Sequence, residues 1–67
     1  MGETLAERVK GLRQALGWRQ ITLAHKSGIP QATISRIESG TIAQPKMGQL
    51  WKLANGFGIT IDHLVGR

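Results

Sequence analysis

Apolar residues recur at helical spacing in five short stretches of this chain, and no stretch alternates as a strand would. The first predicted helix spans about residues 4–16, with an apolar face made of Leu5, Val9, Leu12 and Leu16. Thr4 and Glu7 have the spacing of a capping box, which marks the start of a helix. Gly17 supplies the left-handed residue on which helices commonly end.

Four shorter helices are predicted after the first, over about residues 20–26, 31–38, 46–55 and 60–65. The residues that delimit them are Gly28, Gly40, Pro45 and Thr60. Their inward positions are Leu23, Ala24, Ile34, Ile37, Leu50, Leu53 and Ala54, and the last helix carries Ile61, Leu64 and Val65. Trp18 precedes the second helix and is placed to pack on Leu23. We therefore predict an all-α fold, a five-helix bundle, with residues 1–67 forming a single domain.

The second and third predicted helices form a closely joined pair over about residues 20–38. Isolated helices shorter than ~12 residues are marginal in water, so the flanking helices must hold this pair in place. Ile34 and Ile37 fix the inner face of the third helix. The positions left pointing outward together are Gln31, Ala32, Ser35 and Arg36. Such a helix fits the major groove of DNA, where glutamine can bind adenine and arginine can bind guanine.

The charge of the chain is strongly positive. Nine Lys and Arg residues against four Asp and Glu residues give a formal net charge of +5. Residues 8–37 contain no acidic side chain but include Arg8, Lys10, Arg13, Arg19, Lys26 and Arg36. Taken alone, this charge is compatible with a polyanionic partner, most simply nucleic acid, and with a merely solubilising surface.

Several function classes are disfavoured by what the sequence lacks. There is no cysteine, and therefore no disulfide or thiolate zinc site. His25 and His63 lie far apart without supporting carboxylates, so we expect no metal and no cofactor. No predicted face combines Ser, His and Asp or pairs two carboxylates, so we expect no enzyme. No apolar run approaches the ~18 residues that span a bilayer, and we expect a soluble, cytoplasmic protein.

A set of residues spread over most of the chain follows one family pattern. Its members are Arg13, Gly17, Gln20, Leu23, Ala24, Gly28, Ile29, Thr33, Ile34, Ser35, Ile37, Glu38, Gly40, Pro45, Leu50, Leu53, Ala54, Gly58, Ile59, Asp62 and Leu64. This pattern resembles the Cro/repressor (XRE-type) helix-turn-helix family of phage repressors and bacterial regulators. The resemblance implies a DNA-binding domain of the phage-repressor type and a transcriptional regulator, most simply a repressor, with the third helix in the major groove.

The resemblance also implies roles for single residues. Base contacts fall to Gln31, Ala32 and Arg36, and backbone contacts to Gln20, Arg19, Ser35, Lys10 and Lys46. Gln20 would in addition brace Gln31, and Arg13 would pair with Glu38. The implied partner is double-stranded DNA, bound by a homodimer on an inverted repeat, with a candidate dimer surface at Phe57, Ile59 and Ile61. For Phe57 and Ile61, closure of the domain core is an equal alternative.

Some features depart from the family pattern or leave alternatives open. Family members usually carry threonine or serine as helix N-caps where this chain has Arg19, Pro30 and Lys46. Losing such a cap costs ~1 kcal/mol. Trp51 is either partly buried or part of a partner surface. Two other functions remain open: a protein-interaction module on the same fold, of the antitoxin or coactivator type, and the DNA-binding part of a longer regulator.

Overall fold

In a computed structural model, which describes residues 3–66, every regular element of the described chain is a helix. Helix α1 spans Leu5–Ala15, α2 Gln20–Ser27, α3 Gln31–Ser39, α4 Met47–Phe57 and α5 Ile61–Val65. The prediction of an all-α, five-helix fold is thereby confirmed. Residues 1, 2 and 67 of the predicted domain lie outside the described residues.

The ends of α1 and α5 follow the predicted capping chemistry. Thr4 Oγ1 accepts a hydrogen bond from the Glu7 backbone N–H at 3.1 Å, and Glu7 Oε1 accepts one from the Thr4 backbone N–H at 2.8 Å. These bonds, with the backbone of Thr4 contributing more than its hydroxyl, hold the pKa of Glu7 below its ordinary value. Thr60 Oγ1 likewise accepts from the His63 backbone N–H at 3.0 Å. Both threonine caps satisfy backbone donors that a helix start leaves free.

The helices α2, α3 and α4 begin without a side-chain cap, at Arg19, Pro30 and Lys46. A lysine side chain carries no acceptor, so only the reverse half of a capping box is present in α4. There, Gln49 Oε1 accepts from the Lys46 backbone N–H at 3.2 Å. The three residues that replace the usual threonine or serine therefore leave N-terminal backbone donors of these helices without a side-chain partner.

The fourth helix runs two residues past its predicted end at Asn55. Gly56, which a sequence pattern treats as a helix breaker, is helical in the structure and lies against α2. A Cβ at this position would lie 3.0 Å from Ser27 Cα, which is closer than side chains pack. The helix ends instead at Gly58, whose φ of 72° is left-handed. The glycine at position 56 serves close helix packing, and the one at 58 ends the helix.

The core lies between all five helices and consists of Val9, Leu23, Ala24, Ile29, Ile34, Ile37, Leu53, Ala54 and Leu64. Helix α1 packs on α3 and α5, α2 packs on α3 and α4, and α4 packs on α5. Leu50, predicted to face inward, is only half-buried, and so are Ile61 and Val65 of α5. The prediction that Leu16 belongs to the apolar face of α1 is wrong. It follows the last helical residue and is 49% exposed.

Trp18 packs against the core, as expected for an apolar residue just before α2. Its ring stacks on Phe57 of α4, with 5.8 Å between ring centroids and 8° between ring planes. Lys26 Nζ lies 5.6 Å from the centroid of the same indole, within the range of a cation–π contact. The stack joins the α1–α2 turn to the C-terminal end of α4, a contact that the sequence pattern did not predict.

Candidate nucleic-acid interface

The outer surface of α3 is a continuous polar strip. Ile34 and Ile37 are fully buried and anchor the helix from the inside. The opposite side of the helix is exposed and carries Gln31, Ala32, Ser35 and Arg36. Gln31 and Ser35 are four residues apart, as are Ala32 and Arg36, so the two pairs form adjacent rows on the outer side of α3. The strip offers an amide, a methyl group, a hydroxyl and a guanidinium, the groups that bind base edges and phosphates.

A buried ion pair fixes the C-terminal end of α3 to α1. Arg13 Nε donates to Glu38 Oε2 at 2.8 Å, and Arg13 Nη2 donates to Glu38 Oε1 at 2.9 Å. The two side chains are 12% and 3% exposed, so the pair is shielded from water. The hydrogen bonds to Glu38 raise the pKa of Arg13 above its ordinary value. This two-point geometry sets the orientation of α3 as well as its position.

The same cluster also contacts the start of α2. Arg13 Nη1 donates to the Trp18 carbonyl at 2.8 Å and holds the turn before α2. Gln20 Nε2 donates to Glu38 Oε1 at 3.3 Å. The expected bracing of Gln31 by Gln20 is therefore not what the structure shows, because this amide is directed at Glu38. The carboxylate of Glu38 thus accepts hydrogen bonds from both α1 and α2.

A shallow hollow opens above this cluster, between α1, α2 and α3. It measures about 280 Å³ and is lined by Lys10, Arg13, Gln20, Ser35, Glu38 and Ser39. The structure therefore brings together three of the five residues expected to contact the DNA backbone, Lys10, Gln20 and Ser35. With Glu38 neutralised by Arg13, the free charge at the rim of the hollow is the ammonium group of Lys10.

Arg19 and Lys46, the other two residues expected at the DNA backbone, are separate from this hollow. Each is exposed and stands at the start of a helix, α2 and α4 respectively. Within residues 3–66 the ion pairs are Arg13–Glu38 and Arg8–Glu3. Six cations of the described chain consequently have no acidic partner: Lys10, Arg19, Lys26, Arg36, Lys46 and Lys52. A surface with this many unpaired cations favours binding of a polyanionic partner.

The candidate dimer surface at Phe57, Ile59 and Ile61 is only partly exposed. All three side chains are half-buried and pack against the core. Phe57 in addition stacks on Trp18, so one face of its ring is already covered. Ile59 and Ile61 flank the turn between α4 and α5. The structure thus gives these residues a role in closing the core, and the remaining exposed area is what a second copy could contact.

Arg8 has a structural role that the sequence did not indicate. Its Nε donates to the Leu64 carbonyl at 2.8 Å, and its Nη2 donates to the His63 carbonyl at 2.5 Å. These carbonyls lie in the last turn of α5, where a helix leaves acceptors free. Arg8 is thereby directed at α5, although composition groups it with the other cations. The contact spans more than 50 residues of chain, so no local pattern could reveal it.

His25 and His63 are both exposed, and no three histidine or acidic side chains among residues 3–66 come together as potential metal ligands. None of the helices within that range is long and apolar enough to cross a membrane.

The helix pair α2–α3, a glycine turn between its members, and an exposed polar face on the second member together define a helix-turn-helix protein. Residues 9–64 match the model of a helix-turn-helix family of the XRE type. No solved structure gives a significant match to the chain. Because the match covers most of the sequence, the chain belongs to this helix-turn-helix family and is a DNA-binding domain.

Proposed function

We propose that this protein is a bacterial or phage transcriptional regulator, most simply a repressor, that reads duplex DNA with α3 in the major groove. The observation that carries the proposal is the exposed face of α3. A helix whose inner side is anchored by Ile34 and Ile37, and whose outer side is polar, offers that side to a partner. Family membership supports DNA as the partner.

Base reading in this proposal belongs to Gln31, Ala32 and Arg36. Arg36 is exposed and has no acidic partner within the described chain, so its guanidinium is free to bind guanine. Gln31 stands at the first position of α3 and can bind adenine through its amide. Ala32 is small enough to let the groove approach and presents a methyl group to thymine.

Backbone binding in this proposal involves two groups of residues. Lys10, Gln20 and Ser35 surround the hollow beside α3, where a phosphate would lie next to the Lys10 ammonium. Arg19 and Lys46 bring positive charge to the first turns of α2 and α4, whose N-terminal backbone donors lack side-chain caps. Contacts of this kind position the protein on DNA without reading its sequence.

Specific binding would use two copies of the domain on an inverted repeat. One α3 covers only a half-site, and two-fold dimers of such domains bind half-sites about one helical turn apart. The exposed parts of Ile59 and Ile61 are the proposed contact between copies. Phe57 would contribute less, because Trp18 covers one face of its ring.

The proposal is tested by selection from randomised duplex DNA at near-physiological salt, followed by sequencing of the bound fraction. An enriched inverted repeat is expected, and its spacing gives the geometry of the dimer. An enriched single half-site would refute the dimer but retain sequence-specific binding. Absence of any enrichment would refute the function and favour a protein-interaction module on this fold.

Two matched variants separate base reading from backbone binding on the selected sequence. Arg36→Ala is expected to cost ~1–3 kcal/mol and to relax the preference at one base pair. Lys10→Ala is expected to weaken binding to all sequences alike and to reduce the salt slope by about one. An unchanged preference profile in Arg36→Ala would remove this residue from the base-reading set.

A further inference from the structure

One exposed apolar surface is used neither by the core nor by the proposed DNA interface. Met47 and Trp51 are 60% and 56% exposed, more than any other large apolar side chain of residues 3–66. They stand four residues apart on α4, so they are neighbours on one side of the helix. We call this side the α4 outer face and define it as Met47, Gly48, Trp51, Lys52 and Asn55, all of which are exposed.

The two tryptophans of the chain have contrasting surroundings. Trp18 is half-buried, stacked on Phe57 and covered by Lys26. Trp51 lies one turn after Gly48, which has no side chain to cover the indole and faces open space. An exposed tryptophan next to an exposed methionine is unfavourable in water but common at the centre of protein interfaces.

The α4 outer face belongs to a different part of the molecule from the base-reading strip. Helix α4 packs on α2 and α5, whereas the strip lies on α3, which packs on α1 and α2. Tryptophan and methionine are also unsuited to phosphate binding, which uses cations and hydrogen-bond donors. The exposed apolar side chains therefore call for a partner other than the DNA backbone.

The charge around this face indicates what kind of partner fits. Helix α4 contains no acidic residue, Lys52 lies on the outer face, and Lys46 immediately precedes the helix. Neither lysine has an acidic partner within residues 3–66. A second copy paired through this same face would bring two helices that carry lysine and no acidic residue against each other, which opposes self-association through this face.

We propose that the α4 outer face binds an acidic amphipathic helix of a partner protein. Met47 and Trp51 contact the apolar side of that helix, and Lys52 pairs with its carboxylates. Tryptophan is the residue type in which binding energy most often concentrates, so Trp51 supplies most of the affinity. Lys52 selects for an acidic partner and speeds its association.

The test uses two synthetic helical peptides that share leucines on one side and differ on the other, one bearing glutamates and one lysines. Each is added to the full chain, without DNA, and followed by NMR through the backbone amides and the two indole N–H signals. The acidic peptide is expected to shift residues 47–55 and the indole of Trp51, but not the indole of Trp18. The basic peptide is expected to leave these signals in place.

Three variants make the test specific to this face. Trp51→Ala is expected to weaken binding of the acidic peptide at least about thirtyfold, the factor that corresponds to a binding hot spot. Lys52→Glu is expected to weaken binding of the acidic peptide and to strengthen binding of the basic peptide. Ile21→Ala, which alters an apolar side chain of α2 that is 39% exposed, is the matched control and should change neither.

Several outcomes would overturn the proposal. If the two peptides bind equally well, or if neither binds, the proposal of an acidic partner is refuted. Shifts confined to α3 and Lys10 would mean that the acidic peptide merely imitates DNA. Self-association that sedimentation shows to depend on Trp51 would assign the face to a second copy. Trp51→Ala is expected to bind the selected DNA as the parent chain does, so failure of the DNA proposal and failure of this one are distinguishable.

Discussion

Glu38 is the residue at which α1, α2 and α3 are tied together. Its carboxylate accepts two hydrogen bonds from Arg13 and one from Gln20, and its side chain is almost fully buried. Compared with two apolar side chains of similar size, a buried ion pair of this kind adds little to the free energy of unfolding. Removing only one partner is different, because the guanidinium of Arg13 would remain buried without its counter-charge.

We therefore expect Glu38→Ala to lower the free energy of unfolding by about 3–5 kcal/mol, measured by urea denaturation and far-UV circular dichroism. A domain of this size has about 3–10 kcal/mol in total, so the variant should be largely unfolded or close to it. Glu3→Ala is the control, since Glu3 pairs with Arg8 at 3.4 Å and is 60% exposed. Its effect should stay below about 1 kcal/mol. Equal effects of the two variants would contradict the role given to burial.

Glu7 makes the stability of the chain depend on pH. Its pKa is lowered in the folded state by the hydrogen bonds from Thr4, so ionised Glu7 stabilises the fold. This contribution is fully present above the unfolded-state pKa, which is about 4.3, and is lost as pH falls through the lower folded-state value.

Glu7→Gln keeps a capping side chain but removes the charge. We expect the parent chain to be more stable than this variant at about pH 6, with a difference that shrinks as the pH falls through the lowered folded-state pKa of Glu7. Urea denaturation at a series of pH values measures this difference. A constant difference across that range would show that ionisation of Glu7 plays no part.

Among the helices of the described chain, α2 and α4 approach each other closely at Gly56, which lies against Ser27. A Cβ added to Gly56 would meet the Cα and Cβ of Ser27 at 3.0 Å, and backbone cannot move aside as a side chain can. Gly11 of α1 is also helical, but nothing lies within 4 Å of the Cβ it lacks. The two glycines thus have the same secondary structure and different surroundings.

We expect Gly11→Ala to raise the free energy of unfolding by up to about 1 kcal/mol, because alanine is the better helix former. Gly56→Ala gains the same propensity but forces α2 and α4 apart, at a cost of about 1–3 kcal/mol. The two variants should therefore differ by more than about 1 kcal/mol in thermal or urea denaturation. Similar values for both would mean that the helices can separate without loss.

Local features were predictable at this scale, and distant contacts were not. The capping box at Thr4 and the glycine stops depend on residues within one turn of each other, so the sequence displays them directly. The helical state of Gly56, the stack of Trp18 on Phe57 and the bond from Gln20 to Glu38 depend on packing between elements. The same limit applies to the interface: the outward set on α3 follows from helical spacing, whereas the hollow beside Lys10 requires three helices in place.

For the whole molecule, the unpaired cations predict how binding depends on salt. Three of them, Lys10, Arg19 and Lys46, are proposed to contact phosphates. A plot of log K against log salt concentration should then have a slope of about −2.7 per bound copy, and about −5.4 for two copies on an inverted repeat. Fluorescence anisotropy with labelled half-site and full-site duplexes measures both slopes. A slope near zero would exclude phosphate contacts by these residues.

The bonds from Arg8 to the end of α5 have a consequence for the order in which the chain folds. A helix of five residues is not stable alone, and α5 is held by the burial of Leu64 and by the two bonds from Arg8. Because this closure joins residues more than 50 positions apart, it is the most costly in chain entropy. We expect α5 to dock last and to open first, with its amides exchanging hydrogen before those of α2 and α3 in native-state exchange experiments. Arg8→Met removes the two hydrogen bonds to α5. It should hasten that opening while leaving hydrogen exchange in α2 and α3 unchanged.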